Sequence, residues 1–156
     1  MNMKNFYFAN QTTIEQASMK SIDPNLIFIV DDDPDDRQVI LDAFLENDPT
    51  IKYVFIENGH DLLANLYDVE GRYPEIILLD LNMHKLTGLQ ALKEIRTNKD
   101  MNQIPIIVLT TSTHHADKRL AYEFGANCYL NKPQTYSGLI EMSGSIRKLF
   151  MKGGEQ

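Results

Sequence analysis

Four short segments of the sequence carry side chains that could together form a site for a hard cation. Three consecutive carboxylates, Asp31–Asp33, follow an apolar run, and Asp80 follows another. Thr110 and Lys132 come at the ends of two later runs. Carboxylate oxygens suit Mg²⁺ or Mn²⁺ better than zinc. Crowded carboxylates repel one another, and Lys132 could offset one charge and a divalent cation two.

Each of these residues also has a simpler explanation. Asp33 followed by Pro34 is typical of a helix start, with the aspartate as N-cap and proline at the first helical position. A cap needs only one aspartate, so capping leaves Asp31 and Asp32 unexplained. Taken alone, Asp80 could be an ordinary loop acid, Thr110 a strand-end hydroxyl bonded to its own backbone, and Lys132 an exposed turn lysine.

The elements that must position these residues alternate between buried strands and helices. Apolar runs end at residues 30, 56, 79, 109 and 130, and their branched side chains predict strands buried on both faces. Each gap holds one helix with two short loops, which is the rhythm of βαβ units. We therefore predict a doubly wound α/β fold with five parallel strands. Ligands of such sheets bind outside the carboxyl ends of the strands, where the acids lie.

Apolar stripes with helical spacing occupy the gaps. Gly125 suits the position that ends the fourth helix, and Gly144 should weaken the fifth. The stripe of the fifth helix consists of Leu139, Met142, Ile146, Leu149 and Phe150.

Composition limits the class of protein. The chain has 156 residues and a formal charge of −7, with 43% hydrophobic residues, which is enough for one folded domain. No apolar run has the ~18–20 residues of a membrane span, and the acid surplus argues against nucleic acid as a partner. No signal peptide is evident, and the single cysteine, Cys128, excludes an internal disulfide. We expect a cytoplasmic protein with a polar tail at 1–24, a domain at 25–150 and a short tail at 151–156.

Five motifs together resemble the receiver domain of two-component response regulators. They are VDDDP at 30–34, LDLNM at 79–83, PIIVLT at 105–110, GA at 125–126 and KP at 132–133. Their order and spacing match the family over about residues 25–150. The resemblance implies a flavodoxin-like fold with strand order 2-1-3-4-5.

The resemblance also implies a role for each residue of the site. Asp80 matches the aspartate that accepts the phosphoryl group. Asp31 and Asp32 match the acid pair that binds Mg²⁺ (or Mn²⁺) together with Asp80, and the backbone carbonyl of Asn82 would complete the metal site.

Further matching positions concern switching and phosphoryl lifetime. Lys132 matches the lysine that pairs with a phosphoryl oxygen, and Thr110 matches the switch hydroxyl. Tyr129 matches the aromatic switch position. Asn82 and Ser112 match the two positions beside the pocket that tune the lifetime of the phosphoryl group.

Two positions depart from the family pattern. His84 stands where the family often has proline, and Thr87 stands where an acid is common. We expect these differences to affect loop geometry and the choice of partner rather than phosphoryl chemistry. His84, His114 and His115 lack the spacing of a transition-metal site, so we expect exposed loop histidines.

The resemblance implies a stand-alone, single-domain regulator, similar to those associated with bacteriophytochrome kinases. The resemblance implies a phosphoacceptor rather than a conventional enzyme, although the protein would catalyse its own phosphotransfer and slow dephosphorylation. A sensor histidine kinase or phosphotransfer protein would supply the phosphoryl group. Output would pass by phosphorelay or by contact with an unknown downstream protein, because residues 151–156 cannot hold an output domain. The fourth helix, fifth strand and fifth helix could form a contact surface, and a homodimer is one such contact.

Two alternatives belong to other functional classes. A haloacid-dehalogenase-type phosphatase would use Asp31 as nucleophile, with Thr110 and Lys132 as its later motifs. That fold needs an acidic metal motif after the lysine, where only Glu141 and Glu155 occur, and it gives Asp80 no role. The other alternative is a receiver-like binding module that is not phosphorylated.

Overall fold

Strands and helices alternate along the chain in the computed structural model, which describes residues 20–68, 70–83 and 87–154. The strands are β1 (Ile22–Val30), β2 (Lys52–Ile56), β3 (Tyr73–Leu79), β4 (Ile106–Thr110) and β5 (Cys128–Asn131). The helices are α1 (Pro34–Asn47), α2 (Gly59–Tyr67), α3 (Gly88–Thr97), α4 (His115–Glu123) and α5 (Tyr136–Phe150), followed by a 3₁₀ turn at Lys152–Gly154. His84 and most of the predicted N-terminal tail lie outside the described residues.

One parallel sheet joins the five strands in the order β2-β1-β3-β4-β5. The predicted fold and strand order are therefore confirmed. Within the described ranges, none of the helices is both long enough and apolar enough to cross a membrane.

The core forms one layer on each face of the sheet. Successive residues of β3 alternate between the layers: Ile77 and Leu79 pack in the layer that contains side chains of α2, α3 and α4, whereas Ile76 and Leu78 pack in the layer of α1 and α5. All seven residues of β3 are buried, as expected for a central strand covered on both faces. This double burial fixes the strand ends on which the acids sit.

The first strand begins earlier than its apolar run. Ile22 pairs with Tyr73 of β3, and the register shifts between Asp23 and Ile27. Asn25 lies in that shift with a φ of 63°, a left-handed conformation that asparagine tolerates better than most residues. The domain boundary predicted at residue 25 thus falls inside β1, because the residues before the bulge also pair with the sheet.

Glu75 of β3 joins the two ends of the described chain. Its side chain is buried, and its two carboxylate oxygens accept hydrogen bonds from the backbone N–H groups of Asn25 (3.1 Å) and Lys152 (3.0 Å). Met151 is 3% exposed. The first residues of the predicted C-terminal tail therefore pack against the domain, at the edge of the sheet opposite the acids.

Local sequence signals account for several helix ends. Asp33 caps α1, since its side chain accepts from the backbone N–H groups of Asp35 and Asp36. Thr87, the departure from the family pattern, caps α3 in a capping box with Gln90. Gly125 follows α4 with a φ of 103°, as predicted for a residue that ends a helix.

Two features of α5 can be explained only from its contacts in the folded domain. Gly144 faces the end of α1, where a Cβ atom would stand 2.8 Å from Oδ1 of Asn47, so the glycine leaves room for the Asn47 side chain between the two helices. Leu149, a member of the predicted apolar stripe, is 75% exposed. Leu149 lies beside the edge strand β5, where no sixth strand covers it in the described part of the chain.

Candidate functional site

The predicted site residues meet at the carboxyl edge of the sheet. The backbone N–H of Asp31 donates to Ile56, and the N–H of Asp80 donates to Val30. Lys132 N–H donates to the carbonyl of Thr110. These bonds continue the parallel ladders one residue past each strand, so the sheet itself positions the side chains of the site.

Three carboxylates form a compact cluster at this edge. One oxygen from each of Asp31, Asp32 and Asp80 can be chosen so that all three lie within 4.8 Å of one another. Asp31 is 2% exposed and Asp80 is 7% exposed, while Asp32 is half-buried. An all-oxygen cluster with one partly exposed member fits a Mg²⁺ or Mn²⁺ ion, because such ions retain waters beside a few carboxylates. The donor set therefore agrees with the divalent cation site that the sequence predicts.

Lys132 binds this cluster through its ammonium group. The Nζ atom lies 2.6 Å from Oδ2 of Asp31, 3.1 Å from Oδ2 of Asp80 and 2.9 Å from Oδ2 of Asp36. The lysine side chain is only 10% exposed. The sequence places Lys132 at this edge of the sheet but does not single out Asp36, whose position in the first turn of α1 indicates only a favourable charge near a helix N-terminus.

Excess negative charge and burial shift the acid–base behaviour of the site. Burial raises the pKa of Asp31, although the hydrogen bond from Lys132 opposes this shift. Burial alone would lower the pKa of Lys132, but its hydrogen bonds with Asp31 and Asp36 and the charge of Asp80 raise it well above its usual value. Both shifts favour retention of protons in a pocket with more carboxylates than ammonium groups.

Arg37 binds the backbone at Asp31, where β1 leads into the loop of three aspartates. Its Nη1 donates to the carbonyl oxygen of Asp31 at 2.7 Å, and its guanidinium lies 5.6 Å from the ring centroid of Phe55. Oδ1 of Asp31 in turn accepts from the backbone N–H of Asp33 at 3.0 Å. Arg37 is 8% exposed and was not predicted as a site residue. The available signal was an arginine near the apolar stripe of α1.

Asn82 connects the loop of Asp80 to Thr110. The N–H of Asn82 donates to Oδ1 of Asp80 at 3.1 Å, and Nδ2 of Asn82 lies 3.4 Å from Oγ1 of Thr110. Thr110 is fully buried, and its Oγ1 also accepts from the N–H of Ser112 at 3.2 Å. The structure thus links the predicted switch hydroxyl of Thr110 to both predicted lifetime-tuning residues, and through Asn82 to Asp80.

Tyr129 packs inward beneath the loop that follows β4. It is 9% exposed, and its hydroxyl lies 3.4 Å from the carbonyl oxygen of Ser112. Burial raises the pKa of this phenol. The Ser112 hydroxyl donates to Oδ2 of Asp117 at 2.5 Å, so this loop is also bonded to the first turn of α4. Thr110, Ser112 and Tyr129 therefore form one contiguous hydrogen-bonded unit.

Histidines take no part in the acid cluster among the described residues. His114 and His115 are exposed, as predicted, and His60 is exposed as well. The group of potential metal ligands found in the described part of the chain contains aspartates alone.

Comparisons with known proteins agree with this geometry. The family described as "Response regulator receiver domain" matches residues 27–143. The response regulator Rcp1 from Synechocystis sp. is 31% identical over 140 residues, which cover 86% of this chain and 95% of Rcp1.

Solved structures give the same result. The phosphorylated cyanobacterial phytochrome response regulator RcpA superposes with a TM-score of 0.77 at 28% identity, covering 84% of this chain and 96% of RcpA. The Mn²⁺-bound form of Rcp1 superposes with a TM-score of 0.75 at 30% identity, covering 83% of this chain and 96% of Rcp1.

Proposed function

The chain belongs to the response regulator receiver family, and from this premise we propose that it accepts a phosphoryl group on Asp80 and signals through the resulting change of surface. Receiver domains are signalling proteins that interact with histidine kinases or phosphotransfer proteins. The observation that carries the proposal is the buried Asp80 carboxylate, which shares one ammonium group with Asp31 at the carboxyl edge of the sheet.

The residues of the site provide what phosphoryl transfer to a carboxylate requires. A carboxylate oxygen of Asp80 attacks phosphorus, while the bond from phosphorus to the donor atom breaks and its electron pair leaves with the donor. Lys132 offsets charge on a phosphoryl oxygen, and the N–H of Asn82 orients the Asp80 carboxylate. A Mg²⁺ ion held by Asp31, Asp32, Asp80 and the carbonyl of Asn82 would neutralise further phosphoryl charge.

Signal transmission in this proposal runs through the hydrogen-bonded unit after β4. A phosphoryl group on Asp80 adds an acceptor for the Thr110 hydroxyl and about −1.5 to −2 charge. Movement of Thr110 would alter its bonds with Asn82 and Ser112, and hence the packing of Tyr129. In this proposal Asn82 and Ser112, which both contact the Thr110 hydroxyl, tune the lifetime of the phosphoryl group.

The proposed partners follow from the relatives. We infer a histidine kinase or phosphotransfer protein as donor, and a phytochrome-type kinase in particular, because RcpA is described as a phytochrome response regulator. Output passes by phosphorelay or by protein contact through α4, β5 and α5, and a homodimer is one such contact. A cytoplasmic location is part of this proposal.

Phosphoryl uptake tests the assignment. The full chain is incubated with Mg²⁺ and acetyl phosphate, and its mass is then measured by intact-protein mass spectrometry. We expect one added phosphoryl mass, which Asp80→Asn removes and the exposed control Asp35→Asn retains. Uptake by Asp80→Asn but not by Asp31→Asn would support the phosphatase alternative instead, and no uptake by the wild type would support the inert binding module.

A further inference from the structure

Lys132 uses its full hydrogen-bonding capacity on three carboxylates. An ammonium group has three N–H donors, and Nζ of Lys132 lies within 3.1 Å of oxygens from Asp31, Asp36 and Asp80. Two of these acids, Asp31 and Asp80, belong to the predicted cation cluster. Asp36 does not belong to that group, so its contact with Lys132 is separate from cation ligation.

A cation at the cluster would compete with Lys132 for the same oxygens. Ligands of a divalent ion direct their lone pairs at the ion, and the ion repels a neighbouring ammonium group. The Lys132 side chain is 10% exposed, so the ammonium has little access to bulk water. Asp36, whose side chain is 41% exposed, can keep the ammonium paired on the side of α1.

We propose that Asp36 is a positioning residue of the cation site, which holds the Lys132 ammonium so that Asp31 and Asp80 can bind a divalent cation. The inference rests on the proposed function, because it assumes that the acid cluster binds Mg²⁺ or Mn²⁺. Without the Asp36 carboxylate, Lys132 pairs only with Asp31 and Asp80 and competes more strongly with the cation.

Asp35 provides a matched control for the charge itself. It is an exposed aspartate in the same helical turn, next to Asp36. Asp35→Asn and Asp36→Asn each remove one negative charge from the N-terminus of α1, but only the second removes a carboxylate that contacts Lys132. A general loss of charge would therefore affect both variants alike.

Cation affinity measures the effect directly. Mn²⁺ binding to the full chain is followed by electron paramagnetic resonance of the free ion, and Mg²⁺ binding by calorimetry. We expect Asp36→Asn to weaken both affinities by about three- to tenfold. Groups that orient metal ligands usually contribute about 10- to 100-fold, and the effect of Asp36 should be at the lower end or below because its side chain is partly exposed. Asp35→Asn should stay within about twofold of the wild type.

Two further variants separate positioning from a structural effect. Asp36→Glu keeps a carboxylate and should recover most of the affinity. In a Lys132→Met background, which removes the ammonium, Asp36→Asn should weaken binding no more than Asp35→Asn does. If the wild type binds the cation but Asp35→Asn and Asp36→Asn lose the same affinity, the positioning role of Asp36 is overturned while the proposed function stands. A wild-type chain that binds neither Mn²⁺ nor Mg²⁺ would overturn the cation site of the proposed function as well.

Discussion

Gly88 allows helix α3 to start directly against the loop of Asp80. A Cβ atom at this position would lie 2.4 Å from the carbonyl oxygen of Asp80 and 2.9 Å from Cα of Leu81. Both contacts are with backbone atoms, which cannot rotate away as a side chain can. Gly88→Ala must therefore displace either the start of α3 or the backbone that carries the proposed phosphoacceptor.

The cost of this substitution follows from two opposing effects. Overpacking a buried position costs about 1–3 kcal/mol, and a clash with backbone belongs in the upper part of that range. Replacing glycine by alanine in a helix returns up to about 1 kcal/mol. The net loss is about 1–2 kcal/mol, which corresponds to a melting temperature lower by about 2–8 °C for a chain of this size.

Urea denaturation followed by circular dichroism measures the loss, with Gly71→Ala as control. A Cβ atom on Gly71 would meet its nearest neighbours at 3.5 Å or more, so that variant should stay within about 0.5 kcal/mol of the wild type. Because a shift of ~1 Å at a reacting group can cost about 100-fold in rate, Gly88→Ala should also slow phosphoryl uptake at least about tenfold. Unchanged stability would refute the packing argument, and reduced stability with normal uptake would refute the displacement of Asp80.

Three more outcomes follow from the structure. Arg37→Met removes the charged donor to the carbonyl of Asp31 and should destabilise the domain by about 1.5–3 kcal/mol in urea titrations; no change would contradict an anchoring role. Burial raises the pKa of Asp31 in the folded protein, so ionisation of this carboxyl opposes folding. The contribution of Asp31 to the free energy of unfolding is therefore fully favourable below its usual pKa and is lost as the pH rises through the raised value. Thermal stabilisation by Mg²⁺ should therefore be largest above that raised pKa and disappear on acidification through it; a gain on acidification would contradict this sign. Ser143→Ala removes a fully buried hydroxyl that lies 3.0 Å from the carbonyl of Ala43 and 2.8 Å from Nδ2 of Asn47, and it should cost about 1–2 kcal/mol by the same titration, whereas an unchanged midpoint would show that this α1–α5 link contributes nothing.

The acid cluster could be predicted because it depends on features that a sequence displays. Uninterrupted apolar runs mark strands covered on both faces, and parallel strands bring their carboxyl ends to one edge. Asp31 and Asp80 each follow such a run by one residue. The strand order, which the resemblance to receiver domains implies, is therefore enough to predict that these two aspartates lie close together.

The missed residues depend on tertiary contacts that leave no periodic signal. Asp36 and Arg37 are adjacent in α1, yet one reaches the ammonium of Lys132 and the other the backbone of Asp31. Glu75 is a buried acid within a β-strand, a position that hydropathy favours for apolar residues. The start of β1 was missed for a local reason, since Asp23, Pro24 and Asn25 are residues typical of turns.

Glu75 also has a mechanical consequence. Because its carboxylate fastens both Asn25 and Lys152, tension applied between the two ends of the folded domain loads these two hydrogen bonds and the first pairs of β1 with β3. The acid cluster lies at the other edge of the sheet, away from these loaded hydrogen bonds. A tether or fusion partner attached before residue 20 and after residue 154 should therefore leave phosphoryl chemistry intact under loads that already stretch the hydrogen bonds of Glu75.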